Sequence, residues 1–205
     1  MATYAGFGRH TLSFEMRGAL ETQRNVSALG SRLPWLTKRA IATLRRRLPV
    51  EARRDIQAEY NIGAARVRKD LSTRNTDDGL RLTGHFRGVG LRNFDGRVTS
   101  KGVSARVFRG GRRASEDGAF QARLLNGNPQ FVQRFGDKVE MKQGRYKGKR
   151  RQRIEVLYGP TVAQMLGKGR RPDRLADHSR QVLQAEMERQ LDSYLRNPAA
   201  ARSGT

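Results

Sequence analysis

The chain has 205 residues with a formal net charge of +23, 36% hydrophobic and 7% aromatic residues, and no cysteine. The missing thiols exclude disulfides, Cys-ligated zinc and thiol nucleophiles. No apolar run approaches the roughly 18 residues that span a bilayer, and Met1–Gly8 lacks the apolar core of a signal peptide, so the expectation is a soluble protein assembled in a cytoplasm, without a membrane partner.

The length allows one domain with a core, but the lean apolar content suggests that neighbouring subunits complete part of it. Charge is unevenly spread. Residues 1–79 hold 15 Lys/Arg against 8 Asp/Glu, residues 80–172 hold 22 against 6, and residues 173–205 hold 5 against 5. The positive field therefore belongs to the middle of the chain, where it attracts nucleic acid or acidic protein surfaces.

In chain order, residues 10–17 alternate Leu12, Phe14 and Met16 with polar neighbours, the period of a half-buried strand. A helix is expected over 19–29. Ser31 then suits the cap of a second helix, with Pro34 and Trp35 in its first turn and an apolar stripe of Leu36, Ala40, Ile41 and Leu44. Pro49 is expected to break or kink that helix. A further helical piece follows to about Tyr60, then a short one over Ala64–Leu71.

At Asp77-Asp78-Gly79 the pattern changes to strands. These are expected at Leu80–Phe86, Val89–Phe94 and Val103–Phe108, with Gly110–Arg113 as a loop. Two hairpins follow: 119–125 with 130–135, and 138–142 with 153–157. The acidic pair Glu116-Asp117 is assigned to a loop. Pro160 suits the first turn of a short helix, Thr161–Leu166, after which Lys168–Pro172 reads as a basic linker. The last helix spans about 173–196 with a stripe of Leu175, Val182, Leu183, Met187, Leu191 and Leu195, and 197–205 reads as a disordered tail. The fold class is α+β: helices over 19–71, a mostly antiparallel sheet over 80–158, both within one domain of 1–172, and a long C-terminal amphipathic helix.

Catalytic constellations are missing. His10, His85 and His178 fall in different elements without metal-ligand spacing, and there is no Gly-x-Ser-x-Gly elbow. Gly159–Lys168 fails as a phosphate loop, because Val162 stands where its first glycine belongs and Gly169 where a Ser/Thr should follow the lysine. The expectation is a non-enzyme without metal or cofactor. What is present is a basic hairpin carrying Arg145, Lys147, Lys149, Arg150, Arg151 and Arg153, with Tyr146 as its one aromatic and Gly144 and Gly148 keeping the loop supple. That composition suits phosphate contact without base reading, or docking on an acidic protein, or a solvated tip.

The succession Leu91-x-x-Phe94, Lys101-Gly102-Val103-Ser104-Ala105-Arg106-Val107, Gly118-Ala119-Phe120, Val132-x-Arg134 and Ile154-Glu155-x-Leu157-Tyr158-Gly159-Pro160-Thr161-Val162-Ala163-Gln164-Met165 resembles the minor tail protein Z family of tailed bacteriophages and prophages. Tyr60-Asn61-Ile62 and Val67-Arg68-Lys69-x-Leu71 fit its helical front, and the resemblance covers about residues 35–170. Where the family often has Pro before Ile154, this chain has Arg153. The resemblance implies a non-enzymatic tail-completion protein of the virion. It implies a ring, most simply a hexamer, at the head-proximal end of the tail tube, meeting the tail terminator and neck proteins, with DNA passing through. It casts Phe94, Gly102, Gly118, Phe120, Arg134, Ile154, Tyr158, Gly159 and Pro160 as scaffold. A free, sequence-independent nucleic-acid-binding protein is the alternative.

Overall fold

The computed structural model describes residues 11–14, 33–76, 79–124 and 127–196; the helix expected over 19–29 and the tail 197–205 lie outside them. Leu36, Ala40, Leu44, Leu48, Ala52 and Ile56 repeat every fourth residue, and all are at most 4% exposed. They form the buried line of one helix, α1 (Leu33–Glu59). Each step of four overshoots a full turn by about 40°, so the line winds around the helix instead of running straight. Of the two outcomes expected at Pro49, a break does not occur: the helix runs through it. A mid-helix proline costs about 3 kcal/mol, whereas each fully buried Leu or Ile contributes about 1.5–3 kcal/mol. Leu44 and Leu48 before it and Ile56 after it outweigh it.

The chain divides into two compact units, each discontinuous in sequence: one of 1–56, 68–86 and 162–205, the other of 57–67 and 87–161. Elements distant along the chain are brought together by strand pairing and helix packing.

α2 (Ala64–Lys69) leads along the chain into β2 (Leu71–Thr76), which in the first unit pairs antiparallel with β3 (Gly79–His85). β1 (Thr11–Phe14) pairs with the other edge of β3. The sequence places Leu71 on a helix and starts the strands only after residue 77. The Asp70 carbonyl accepts the His85 N–H at 2.8 Å, which draws Leu71 into the sheet instead. Across β3 lies α3 (Val162–Leu166), so close that a Cβ on Gly84 would stand 3.0 Å from the Ala163 backbone. α4 (Arg171–Arg196) completes the unit. Its buried line runs through Arg171, Leu175, Ser179, Val182, Leu183, Glu186 and Gln190. Met187 and Leu191, expected on the stripe, are only half-buried, and the line carries polar groups that hydropathy alone assigns to solvent.

In the second unit, β4 (Val89–Gly90) pairs with β11 (Tyr158–Gly159). The expected strand Val89–Phe94 stops there, since Leu91–Asn93 turn into a 3-10 helix. β5 (Arg97–Val98), β6 (Gly102–Ala105) and β7 (Ala114–Asp117) form one sheet in that order. The strand expected over 103–108 ends at Ala105. The Arg106 N–H bonds the Phe94 carbonyl, and Asn61 takes the carbonyls of Arg106, Val107 and Phe108. Glu116 and Asp117 belong to β7, not to the loop the sequence suggests. β8 (Phe120–Arg123), β9 (Pro129–Glu140) and β10 (Arg150–Val156) form a second sheet with β9 central. Val103, Ala119 and Phe131 make a core cluster, with Leu91 and Leu157 packed against it. The class is α+β with a long C-terminal helix, as the sequence indicates.

Candidate nucleic-acid interface

The two hairpins expected from the sequence share one strand. β8 covers only Pro129–Val132 of β9; beyond that point β9 is paired with β10 alone. The eight residues from Gln133 to Glu140 therefore run as a two-stranded ribbon, and the six steps of β10 beside them, from Val156 to Arg150, carry it about 20 Å past the three-stranded sheet at the usual rise per residue. Its faces are open: Phe135 is 61% exposed and Ile154 48%.

The ribbon carries a bulge. Arg151 stands opposite Val139 and Arg153 opposite Phe135, so Gly136, Asp137 and Lys138 together face Gln152. Gly136 takes φ 67°, which only glycine adopts without strain. Gln152 donates its side-chain N–H to the Gly136 carbonyl at 3.0 Å, and Arg150 donates to the Lys138 carbonyl at 3.3 Å. Such bulges sharpen the local twist of a ribbon.

The tip is not a supple loop. The Lys147 N–H bonds the Gly144 carbonyl, the Lys149 N–H bonds the Tyr146 carbonyl, and Met141 exchanges bonds with Gly148 and Lys149. Gly144 and Gly148, both at φ 78°, make these tight turns. The Arg151 guanidinium lies 3.5 Å from the Tyr146 ring centroid and that of Arg145 lies 5.8 Å away. Tyr146 thereby holds two cations in place, a contact worth about 0.5–1 kcal/mol at an exposed site.

The structure brings the six predicted basic residues onto this one arm: Arg145, Lys147 and Lys149 at the tip, and Arg150, Arg151 and Arg153 on β10. All are exposed, and among the described residues none of the six makes an ion pair. The opposing strand adds Lys138 and the loop Lys142, which the local basic run does not include. Correct hairpin pairing is the signal that finds them. Asp137 and Glu140 are the only acids between Gly136 and Arg153. Elsewhere in the unit, Asp95 gathers three cations: Arg113, Arg106 at 3.5 Å and Arg97 at 3.6 Å. The arm thus carries a contiguous run of cations without an acidic partner among the described residues.

The residues expected as scaffold separate into two sets. Phe94 is fully buried, and a Cβ on Gly159 would fall 2.5 Å from its ring. A Cβ on Gly102 would run into the Glu116 carbonyl oxygen. Gly118, at φ 73°, donates its N–H to the Lys101 carbonyl. Arg134 lies over the half-buried Phe120 ring at 5.2 Å, and Pro160 is half-buried two residues before α3. Ile154 and Tyr158 instead stand exposed, Tyr158 against the backbone of Gly88.

Searches against protein-family models, curated proteins and solved structures found no match for this chain. Among the described residues, no group of His, Cys, Asp or Glu is arranged to hold a metal ion. No helix among them is long and apolar enough to cross a membrane.

Proposed function

We propose that the protein is a structural component of a phage virion, a tail-completion subunit forming a ring at the head-proximal end of the tail tube, whose basic β-ribbon contacts the phosphates of passing DNA. The carrying observation is the arm itself: a bulged ribbon with exposed Arg145, Lys147, Lys149, Arg150, Arg151 and Arg153, none of which has an acidic partner among the described residues. Cations spaced along a ribbon, with one aromatic already occupied by Arg151, suit backbone contact and not base reading. The resemblance of Gly118–Phe120 and Ile154–Met165 to the tail protein family supplies the virion context. A six-fold tube makes a hexamer the simplest closed assembly, and its contacts are heterologous. The tail terminator and neck proteins are its expected neighbours.

Immunodetection in purified virions tests this. The protein is expected in particles, at one ring per tail. Presence in infected-cell lysate with absence from virions overturns the reading and leaves a free, sequence-independent nucleic-acid-binding protein.

A further inference from the structure

Two open sheet edges in the second unit carry opposite charge. β7 is the outer strand of the sheet β5-β6-β7, and all four of its residues, Ala114, Ser115, Glu116 and Asp117, are exposed. β10 is the outer strand of the sheet β10-β9-β8 and carries exposed Arg150, Arg151 and Arg153. An unpaired edge presents a row of free backbone N–H and C=O groups, a template for another strand. Charged residues on such an edge normally repel a second copy of the same edge. Here that repulsion acts on β10 against β10 and on β7 against β7, while β10 against β7 is attractive. Like pairings are discouraged and one unlike pairing is favoured, which is how a specific contact is built.

We infer that β10 of one copy pairs with β7 of the next, joining copies edge to edge. In an antiparallel register with Glu116 opposite Arg151, Asp117 falls opposite Arg150 and Ser115 opposite Gln152. Both acidic groups then meet a guanidinium directly across the strands, where opposite-charge pairs stabilise a sheet. The contact uses two different surfaces of one chain, so it is heterologous and propagates until it closes on itself. The ribbon is then divided in use. Its stem, β10, makes the subunit contact, and its tip, Lys142 to Lys149, remains free for phosphates. The inference deepens the ring reading only in stoichiometry; the pairing itself stands on the two edges.

The absence of cysteine makes the test clean. Chains carrying Ser115→Cys alone and Gln152→Cys alone are purified, mixed and oxidised. Directly opposed strand residues lie about 4.5–5.5 Å apart, within disulfide reach. The mixture is expected to give a reducible cross-linked dimer that neither chain gives by itself, and the double variant S115C/Q152C a ladder ending in a closed species. Glu116→Lys with Asp117→Lys, or Arg150→Glu with Arg151→Glu, should each weaken self-association in sedimentation about tenfold or more, and the two charge-reversed chains mixed together should associate again. That recovery also reports that both variants are folded. No mixed cross-link at any concentration, or no recovery on mixing, overturns the edge pairing. If the protein is in virions without the cross-link, the edge contact fails alone. If the cross-link forms but virions lack the protein, the ring reading fails alone.

Discussion

The Arg171 guanidinium lies 3.5 Å from the Asp55 carboxylate with only 1% of its side chain exposed. Arg171 also donates to the Met165 carbonyl, while Arg174 binds both Asp55 oxygens at 2.7 and 2.9 Å. One carboxylate on α1 thus fixes the first turn of α4 and, through Met165, the end of α3. Removing one member of a buried pair strands the other charge, which costs about 3–5 kcal/mol. Asp55→Ala is expected to lower unfolding stability by roughly that amount, whereas Arg171→Met, which removes the buried charge and keeps much of the volume, should lower it by about half as much or less. Urea unfolding of the two variants checks the order. Equal losses would show that the pair acts through packing alone.

Gly159 and Phe94 make a second coupled pair. Because an added Cβ would stand 2.5 Å from the ring, Gly159→Ala must displace Phe94 or separate β11 from β4. Overpacking of this kind costs about 1–3 kcal/mol. Phe94→Leu alone should also destabilise by leaving a void. In the double variant the losses should be less than additive, since the smaller side chain makes room for the methyl. A double-mutant cycle on thermal or urea unfolding measures the coupling, and strict additivity would show that the two residues do not share the strain.

These residues also show how far the sequence carries the fold. Helical apolar spacing predicts Leu36, Ala40, Leu44 and Ile56 of the buried line of α1, whereas Ile41, expected on the same stripe, is half-buried; β8 and β9 pair as the expected hairpin, with only 127–129 of its expected turn among the described residues. Gly102 and Gly159 mark close approaches that leave no room for a side chain, and Gly118 marks a turn at positive φ. What fails has physical causes. Leu71–Thr76 is a polar edge strand with no apolar alternation to announce it, and its place is set by pairing to β3. Arg171 sits in a basic run that reads as a solvated linker, and its partner Asp55 is 116 positions away. Glu116-Asp117 reads as a turn pair because acidic residues are poor strand formers in isolation. Its strand is imposed by β6. The basic residues of the arm are legible as a local run. That Lys138 belongs with them, and that Tyr146 is already engaged by Arg151, follows only from the pairing and the turn.

The arm makes a quantitative prediction for DNA binding. If its tip contacts phosphates, binding to duplex DNA is sequence-independent and weakens steeply with salt. Substituting Lys142, Arg145, Lys147 and Lys149 by Gln should lower the slope of log affinity against log salt by about 0.9 for each phosphate no longer neutralised. Binding should fall by the same factor on unrelated sequences. A fluorescence-anisotropy salt titration measures both. An unchanged slope removes the tip from the DNA-facing role, and a loss confined to one sequence would point to base reading instead.

Glu186 gives α4 a defined acid response. Its carboxylate is buried, accepts from Arg189 at 2.5 and 3.1 Å and from Gln190 at 2.7 Å, and lies in the field of Arg47. The hydrogen bonds from Arg189 chiefly hold its pKa down, against burial, which raises it; the Gln190 bond and the charge of Arg47 add to the lowering, and the result is about 2 rather than 4.5. A carboxylate more acidic in the folded than in the unfolded chain stabilises the fold above its unfolded pKa. That contribution is lost as pH falls from about 4.5 through about 2. Because Arg189 is largely exposed and screened, the contribution is about 2 kcal/mol or less. Unfolding stability of the wild type should therefore drop across this window more than that of Glu186→Gln, whose side chain does not titrate, and the two curves should converge toward pH 2. Parallel curves would mean that the Arg189 pair contributes nothing net, and that packing alone holds this turn of α4 in place.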